Sequence, residues 1–185
     1  NISGLSRELG PTDGSVTLTI SGSNFGSGGH AEVGGVPCPT DGRPASWQDF
    51  QIMCRLPQGQ GTNHDVLVRV NSQNGSYSSF SYNAPSISSI YPLVSDTIGG
   101  ILLTIRGSDF GLTGNVTVDG RDCPIDVHSH GVIHCYIPPG EGTGVTIAIN
   151  ISNQTATSFF TYNDPSITSL YPNSGPTLGG TNLTV

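Results

Sequence analysis

The sequence predicts an all-β chain made of two β-sandwich modules in tandem with the start of a third, and three observations carry that expectation. The first is repetition: Tyr82-Asn83-Ala84-Pro85-Ser86-Ile87 returns as Tyr162-Asn163-Asp164-Pro165-Ser166-Ile167, 80 residues later, and a period that long marks an array of modules. The second is alternation, because apolar and polar residues exchange at every second position, the period of half-buried strands. The third is punctuation. Turn formers separate these short runs at regular spacing, as in a sandwich, and no window carries a convincing amphipathic helix.

Each element follows in order. Val16, Leu18 and Ile20 alternate with Thr17 and Thr19. The turn pairs Gly28-Gly29 and Gly34-Gly35 come next, and Val66, Val68 and Val70 form a second alternating run. Asn74-Gly75 then supplies a strong short-range hairpin signal. Phe80-Ser81-Tyr82 reads as the last strand of the first module and Ile87 to Ile90 as the first strand of the next. The linker Asn83 to Ser86 is short, and Pro85 restricts both itself and Ala84, so little independent tumbling is expected. The second module repeats the pattern: Ile101, Leu103 and Ile105 stand in place of Val16, Leu18 and Ile20, and Val145, Ile147 and Ile149 in place of Val66, Val68 and Val70. The segment from Thr17 to Gly26 aligns with Leu102 to Gly111 at an offset of 85, which assigns length differences between modules to loops. The expected units are residues 1–84, 85–164 and 165–185. The third holds a first strand and part of a second, as expected of an excerpt from a longer array.

Composition narrows the function classes. Only 10% of residues are charged, the formal net charge is −7, and the six basic residues are all Arg. Without a basic cluster there is no counterion-release term for nucleic acid and no attraction to an anionic membrane surface. Membrane contact is therefore expected only through other parts of a parent chain.

The four cysteines fall two per module, Cys38 with Cys54 and Cys123 with Cys135. Pairing within modules is the economical choice among three connectivities, with zinc as the competitor, although the spacing is not Cys-x-x-Cys. Disulfides closing loops of this size contribute about 3 kcal/mol on the chain-entropy model and imply an oxidising, extracellular setting. Six sequons agree with that setting, at Asn1, Asn74, Asn115, Asn150, Asn153 and Asn182. Asn74 and Asn153 are expected at the same hairpin tip of their modules. With Asn115 they are the foremost candidates for N-glycans.

Gly10-Pro11-Thr12, Leu18-Thr19-Ile20-x-Gly22-x-Asn24-Phe25-Gly26, Val33-Gly34-Gly35-x-x-Cys38, Ile52-x-Cys54-x-x-Pro57-x-Gly59 and Tyr82-Asn83 together resemble tandem IPT/TIG domains. The resemblance spans essentially the whole chain. It implies an early-set immunoglobulin-like sandwich, and it supplies precedent for the cysteine pairing and for long extracellular arrays. The family also serves in receptors, in transcription factors and beside secreted polysaccharide-degrading enzymes, so the fold alone does not assign function. The second module departs from the pattern, with Asp96-Thr97-Ile98 replacing the Gly-Pro-Thr found at Gly10-Pro11-Thr12 and Gly175-Pro176-Thr177.

A search for chemistry finds little. Gly59-Gln60-Gly61 and Gly140-Glu141-Gly142 superficially suggest a phosphate cradle, but no Lys follows and no helix begins there, so they read as turns of the fold. His128, His130 and His134, with Asp119, Asp122 and Asp126 upstream, are a conceivable copper or zinc site. No counterpart is evident between Cys38 and Cys54, and a solvated loop is the competing reading. No nucleophile elbow appears, and His30 and His64 lie apart from any acidic partner. No enzyme and no cofactor are expected. Trp47 is read either as packing over the end of the sandwich or as a platform for a sugar or partner.

These readings lead to a non-enzymatic extracellular structural protein, a rigid N-glycosylated repeat of a cell-surface stalk or filament whose partners are neighbouring repeats or copies of itself. Residues 165–185 would either continue the array or insert into another chain. The alternative is a receptor or adhesin ectodomain, with Leu67, Tyr77 and Trp47 as first suspects for an exposed patch. A third reading is an accessory module of a secreted polysaccharide-degrading enzyme.

Overall fold

A computed structural model describes residues 1–185, with Pro44 described by its backbone alone. Module 1 holds β1 (Ile2–Leu5), β2 (Leu9–Gly10), β3 (Thr17–Gly22), β4 (His30–Val33), β5 (Val36–Pro37), β6 (Trp47–Gln48), β7 (Gln51–Arg55), β8 (His64–Val70) and β9 (Gln73–Tyr82). Module 2 holds β10 (Ser86–Tyr91), β11 (Val94–Ser95), β12 (Leu102–Ser108), β13 (Asn115–Val118), β14 (Arg121–Asp122), β15 (Ile125–His128), β16 (Val132–Tyr136), β17 (Val145–Ile151) and β18 (Gln154–Tyr162). The strand orders β1-β3-β7-β6 and β2-β9-β8-β4-β5 recur as β10-β12-β16-β15 and β11-β18-β17-β13-β14. Both modules are thus two-sheet immunoglobulin-like sandwiches of one topology.

The alternating runs supply the cores. Leu18, Ile20, Ile52 and Val66 are fully buried in module 1, as are Leu103, Ile105, Ile133 and Ile147 in module 2. Burial of such side chains is worth about 1.5–3 kcal/mol each and drives sheet-on-sheet packing. Cys38, just past β5, is bonded to Cys54 on β7, and Cys123, just past β14, to Cys135 on β16, with Cα atoms 5.4 Å apart in each pair. Each bridge therefore ties one sheet of its module to the other.

Three sequence expectations are displaced in register. Val118 pairs with Ile147 where Val33 pairs with Val66. The counterparts of Val66, Val68 and Val70 are therefore Ile147, Ile149 and Ile151, two residues beyond the expected set. The side-chain period of a strand is two, so a slip of two leaves the apolar face unchanged.

The hairpin turn falls at Asn71-Ser72, because Val70 pairs with Gln73, while Asn74-Gly75 lies inside β9. A two-residue turn at Asn74-Gly75 would set Arg69 opposite Phe80 and Leu67 opposite Tyr82, turning both aromatics away from the core. The observed ladder instead carries a bulge at Ser79, between the pairs Asp65–Ser78 and His64–Phe80. That extra residue returns Phe80 and Tyr82 to the inner face, where both are buried. Asn153 lies in the tight turn after Ile151, at φ 67°. Asn74, exposed on β9, is thus not at an equivalent tip, since its counterpart is Thr155.

The third displacement concerns the Gly-Pro-Thr motif. Gly10 pairs with Tyr82 and Ser95 with Tyr162, so Ser95-Asp96-Thr97, rather than Asp96-Thr97-Ile98, occupies the place of Gly10-Pro11-Thr12.

Residues 164–185 form no strand; Tyr171 and Thr184 make one bridge. Ile167, Leu170, Leu183 and Val185, which repeat the places of Ile87, Ile90, Leu103 and Ile105, remain exposed. The Tyr171–Thr184 bridge repeats, 80 residues on, the Tyr91–Thr104 pair of β10 and β12.

Candidate functional site at the joint between modules

Between Tyr82 and Ser86 only three residues lie outside strands, so the loops at the trailing end of module 1 meet those at the leading end of module 2. Gln60 stands at the centre. Its backbone is held by the Gly59-Gln60-Gly61 turn: Gly59 donates to Thr12 O at 3.0 Å, Gly61 O accepts from Tyr82 N at 2.8 Å, and His64 Nε2 bonds Gln60 O at 2.8 Å. Gly59 lies directly on the Tyr82 ring, leaving no room for a Cβ, and Gly140 lies in the same way on Tyr162. Both tyrosines donate their hydroxyls to proline carbonyls, Tyr82 to Pro57 O at 3.0 Å and Tyr162 to Pro138 O at 2.7 Å. Burial pushes the Tyr82 phenol up to about 12. The recurring Gly-x-Gly is therefore a turn packed on an aromatic ring, and the side chain between the two glycines is free to serve the joint.

The Gln60 amide reaches wholly into module 2. Its Oε1 accepts from Leu112 N at 2.6 Å and Thr113 N at 2.9 Å, and its Nε2 donates to Thr113 O at 2.9 Å and Ser152 Oγ at 2.8 Å. A primary amide has two donors and two acceptor lone pairs, so its capacity is filled across the joint. Gly111 makes the approach possible: its φ is +67°, and a Cβ there would lie 2.5 Å from Gln60 Oε1.

Three further contacts flank this clamp. Thr12 N donates to Asp109 Oδ1 at 3.0 Å, His130 Nδ1 bonds Thr12 Oγ1 at 2.9 Å, and Gln154 Nε2 donates to Tyr82 O at 3.2 Å. Thr12, a polar residue, is 1% exposed as a result. The carboxylate of Asp13, accepting from the hydroxyl and amide of Ser15, titrates below the usual carboxylate range, and the nearby His130 charge adds to the effect.

The histidines of module 2 are drawn into different tasks. His130 serves the joint, while His128 Nε2 bonds Phe110 O at 2.7 Å. In module 1 Trp47 Nε1 donates to Phe25 O at 2.9 Å. Trp47 is therefore the counterpart of His128, a correspondence that sequence comparison misses because the two disulfide loops differ in length. The indole packs against the core of module 1, which is the packing alternative. Among the described residues no group of three or more His, Cys, Asp or Glu side chains is placed to hold a metal ion.

Of the suspected exposed patch, Leu67 and Tyr77 are half-buried, and the Tyr77 hydroxyl donates to Glu8 Oε1 at 2.8 Å. Exposed apolar side chains lie in both modules, among them Leu9 and Phe50 in module 1 and Leu93, Val94 and Phe159 at the β11–β18 pair of module 2. All six sequon asparagines are solvent-exposed. Asn115 and Asn150 lie opposite each other on β13 and β17, and Asn150 Oδ1 accepts from Asn153 N at 3.2 Å. Three of the six thus cluster beside the joint.

Comparison with known proteins gives a consistent family. The IPT/TIG domain profile matches residues 1–83 and again 85–163. Among solved structures, the plexin A4 extracellular region is similar at 21% identity and a TM-score of 0.47, over 92% of this chain and 16% of that one. A surface glycan-binding protein from Prevotella bryantii is similar at 16% identity and a TM-score of 0.47, over 77% of this chain and 35% of that one. A further one, from a xyloglucan utilization locus in Bacteroides uniformis, is similar at 16% identity and a TM-score of 0.42, over 86% and 49% respectively. The chain spans less than half the length of each of these proteins. With two profile matches that between them cover nearly the whole chain, and two sandwiches of one topology, the chain belongs to the IPT/TIG domain family.

Proposed function

We propose that this chain is a non-enzymatic structural unit of the extracellular surface, a stiff and N-glycosylated pair of repeats within a stalk or filament. The observation that carries the reading is the Gln60 clamp, whose side chain forms every one of its hydrogen bonds across the joint. A flexible string of beads needs no such clamp, whereas a rod that transmits orientation from one module to the next does. Two disulfides suit an oxidising exterior. The exposed sequons, Asn74, Asn115 and Asn153 foremost, suit a glycan coat.

The test is electron microscopy of unfixed native source material together with solution scattering of this chain. Regular glycan-coated fibres with an axial repeat set by the modules, and a scattering profile of one fixed elongated particle, support the reading. Single soluble rods, with neither stalk nor fibre, would move it to a receptor or adhesin ectodomain. The exposed Leu93, Val94 and Phe159 at the β11–β18 pair favour that second reading, since exposed apolar side chains suit a protein partner. Asparagines unmodified in the native protein would remove the glycan coat from the proposal.

A further inference from the structure

We infer that the two parallel strand pairs, β2 with β9 and β11 with β18, are tension latches that hold each module closed when the array is pulled along its length. The inference rests on the proposed stalk or filament and assigns it a mechanical duty, resistance to stretching.

Module 2 shows the path of the pull whole. The linker Asn83 to Pro85 leads into β10 and then β11, and β18 runs out through Asn163. β11 and β18 are parallel, with Val94 opposite Thr161 and Ser95 opposite Tyr162. A pull on the linker therefore drags β11 toward the leading end, while a pull beyond Asn163 drags β18 toward the trailing end. The two strands are loaded in opposite directions along their length, so their hydrogen bonds share the force and fail together rather than one after another. β10, paired antiparallel with β12 from Ser86 to Tyr91, lies upstream and must slide before β11 does. Strands β12 to β17 lie between the two loaded strands in the chain and are drawn out only after the latch opens. Module 1 has the same topology, with Leu9 opposite Ser81 and Gly10 opposite Tyr82.

The rungs repeat. Thr161 N donates to Leu93 O at 3.1 Å and Asn163 N to Ser95 O at 2.8 Å; Ser81 N donates to Glu8 O and Asn83 N to Gly10 O, both at 2.8 Å. Gly10, Tyr82, Ser95 and Tyr162 are buried. Gly10 is pressed so closely on the core that a Cβ would lie 2.6 Å from Leu56 Cδ2 and 2.9 Å from Phe80 Cζ. Water that would replace a broken rung is kept out, and a hydrogen bond in such surroundings is stronger than an exposed one. The tyrosine hydroxyls add a lateral anchor, since β9 and β18 cannot slide without giving up the bonds to Pro57 O and Pro138 O.

Single-molecule stretching of the full chain between handles at its two ends tests this, because forced opening reports the unfolding rate rather than equilibrium stability. The disulfides identify which module has opened. They close 16 and 12 positions with Cα atoms 5.4 Å apart, so reduction should lengthen the step of module 1 by about 50 Å and that of module 2 by about 40 Å, at about 3.6 Å per extended residue. Ser81→Pro removes the N–H that bonds Glu8 O and should open module 1 roughly tenfold faster at a fixed force, leaving module 2 unchanged. A second measurement alters no residue of either latch. Moving the first handle to the turn at Gly99-Gly100, with the other still beyond Asn163, puts both attachments at the trailing end of β11 and β18. The rungs then open singly, and module 2 should yield at a several-fold lower force. Equal forces in the two directions of pull, or an unchanged opening rate in a Ser81→Pro chain whose module 1 is folded, would overturn the inference. Strong latches in a protein found natively only as single soluble rods would uphold them while removing the stalk or filament. Equal forces in the two directions beside regular native fibres would remove the latches and leave the filament standing.

Discussion

Replacing Gln60 by alanine removes four close hydrogen bonds between the modules, together with a longer one from Nε2 to Thr113 Oγ1 at 3.3 Å, and none within either. At roughly 0.5–1 kcal/mol net for each bond at a water-accessible site, the joint loses about 2–4 kcal/mol. That is a shift of roughly 30-fold to 1000-fold toward the undocked arrangement, at about 1.4 kcal/mol per decade. The linker from Asn83 to Pro85 still tethers the modules, so the predicted outcome is a hinge between two intact sandwiches. Residual dipolar couplings on the labelled chain give the readout. The parent protein should fit one alignment tensor for both modules, while Gln60→Ala should need two, with reduced order in one of them and amide shifts in each core unchanged. Gln60→Glu, which keeps the acceptor and loses the donor, should lie between. A single shared tensor in Gln60→Ala would refute the assignment of stiffness to this side chain and pass it to Thr12, Asp109 and Gln154.

Gly111→Ala should cost more than Gly26→Ala: both glycines have positive φ, but only Gly111 has Gln60 Oε1 in the way. The matched change at Gly26 reports the backbone term alone, about 1 kcal/mol, and thermal unfolding of the two variants gives the difference. Replacing Cys123 and Cys135 together by serine should lower the stability of module 2 by about 3 kcal/mol, read as an earlier calorimetric transition for that module while the module 1 transition stays in place. Stability should fall above pH 10. The Tyr82 phenol is raised by burial to about 12 in the folded state, so its contribution is complete below the unfolded value near 10 and is lost as pH climbs through the folded one. Tyr82→Phe should lose about 1 kcal/mol at neutral pH with the bond to Pro57 O and should flatten the alkaline limb of a denaturation series. An unchanged limb would show that another group causes it.

The amino-acid sequence by itself determined the fold class, the two repeats and the spacing of the cysteines. Each depends on short-range regularities: a period of two along strands, glycine and asparagine at turns, and a block around Tyr82-Asn83 that recurs. It did not determine register. A slip of two residues in the β17 pattern leaves the same face apolar, and only pairing across to β13 identified Ile147 as the partner of Val118. The Asn74-Gly75 signal was real as local chemistry, yet the demand to bury Phe80 and Tyr82 moved the turn to Asn71-Ser72 and added a bulge. Nor did sequence show the joint. Gln60 is an ordinary glutamine between two glycines until the fold brings it to Leu112, Thr113 and Ser152, residues 52, 53 and 92 positions away. Trp47 and His128 differ in size and charge, but through a ring nitrogen each holds the equivalent carbonyl, of Phe25 and Phe110. Periodicity is written along the chain and can be read there, whereas contacts between distant segments exist only once both sheets have closed over their cores.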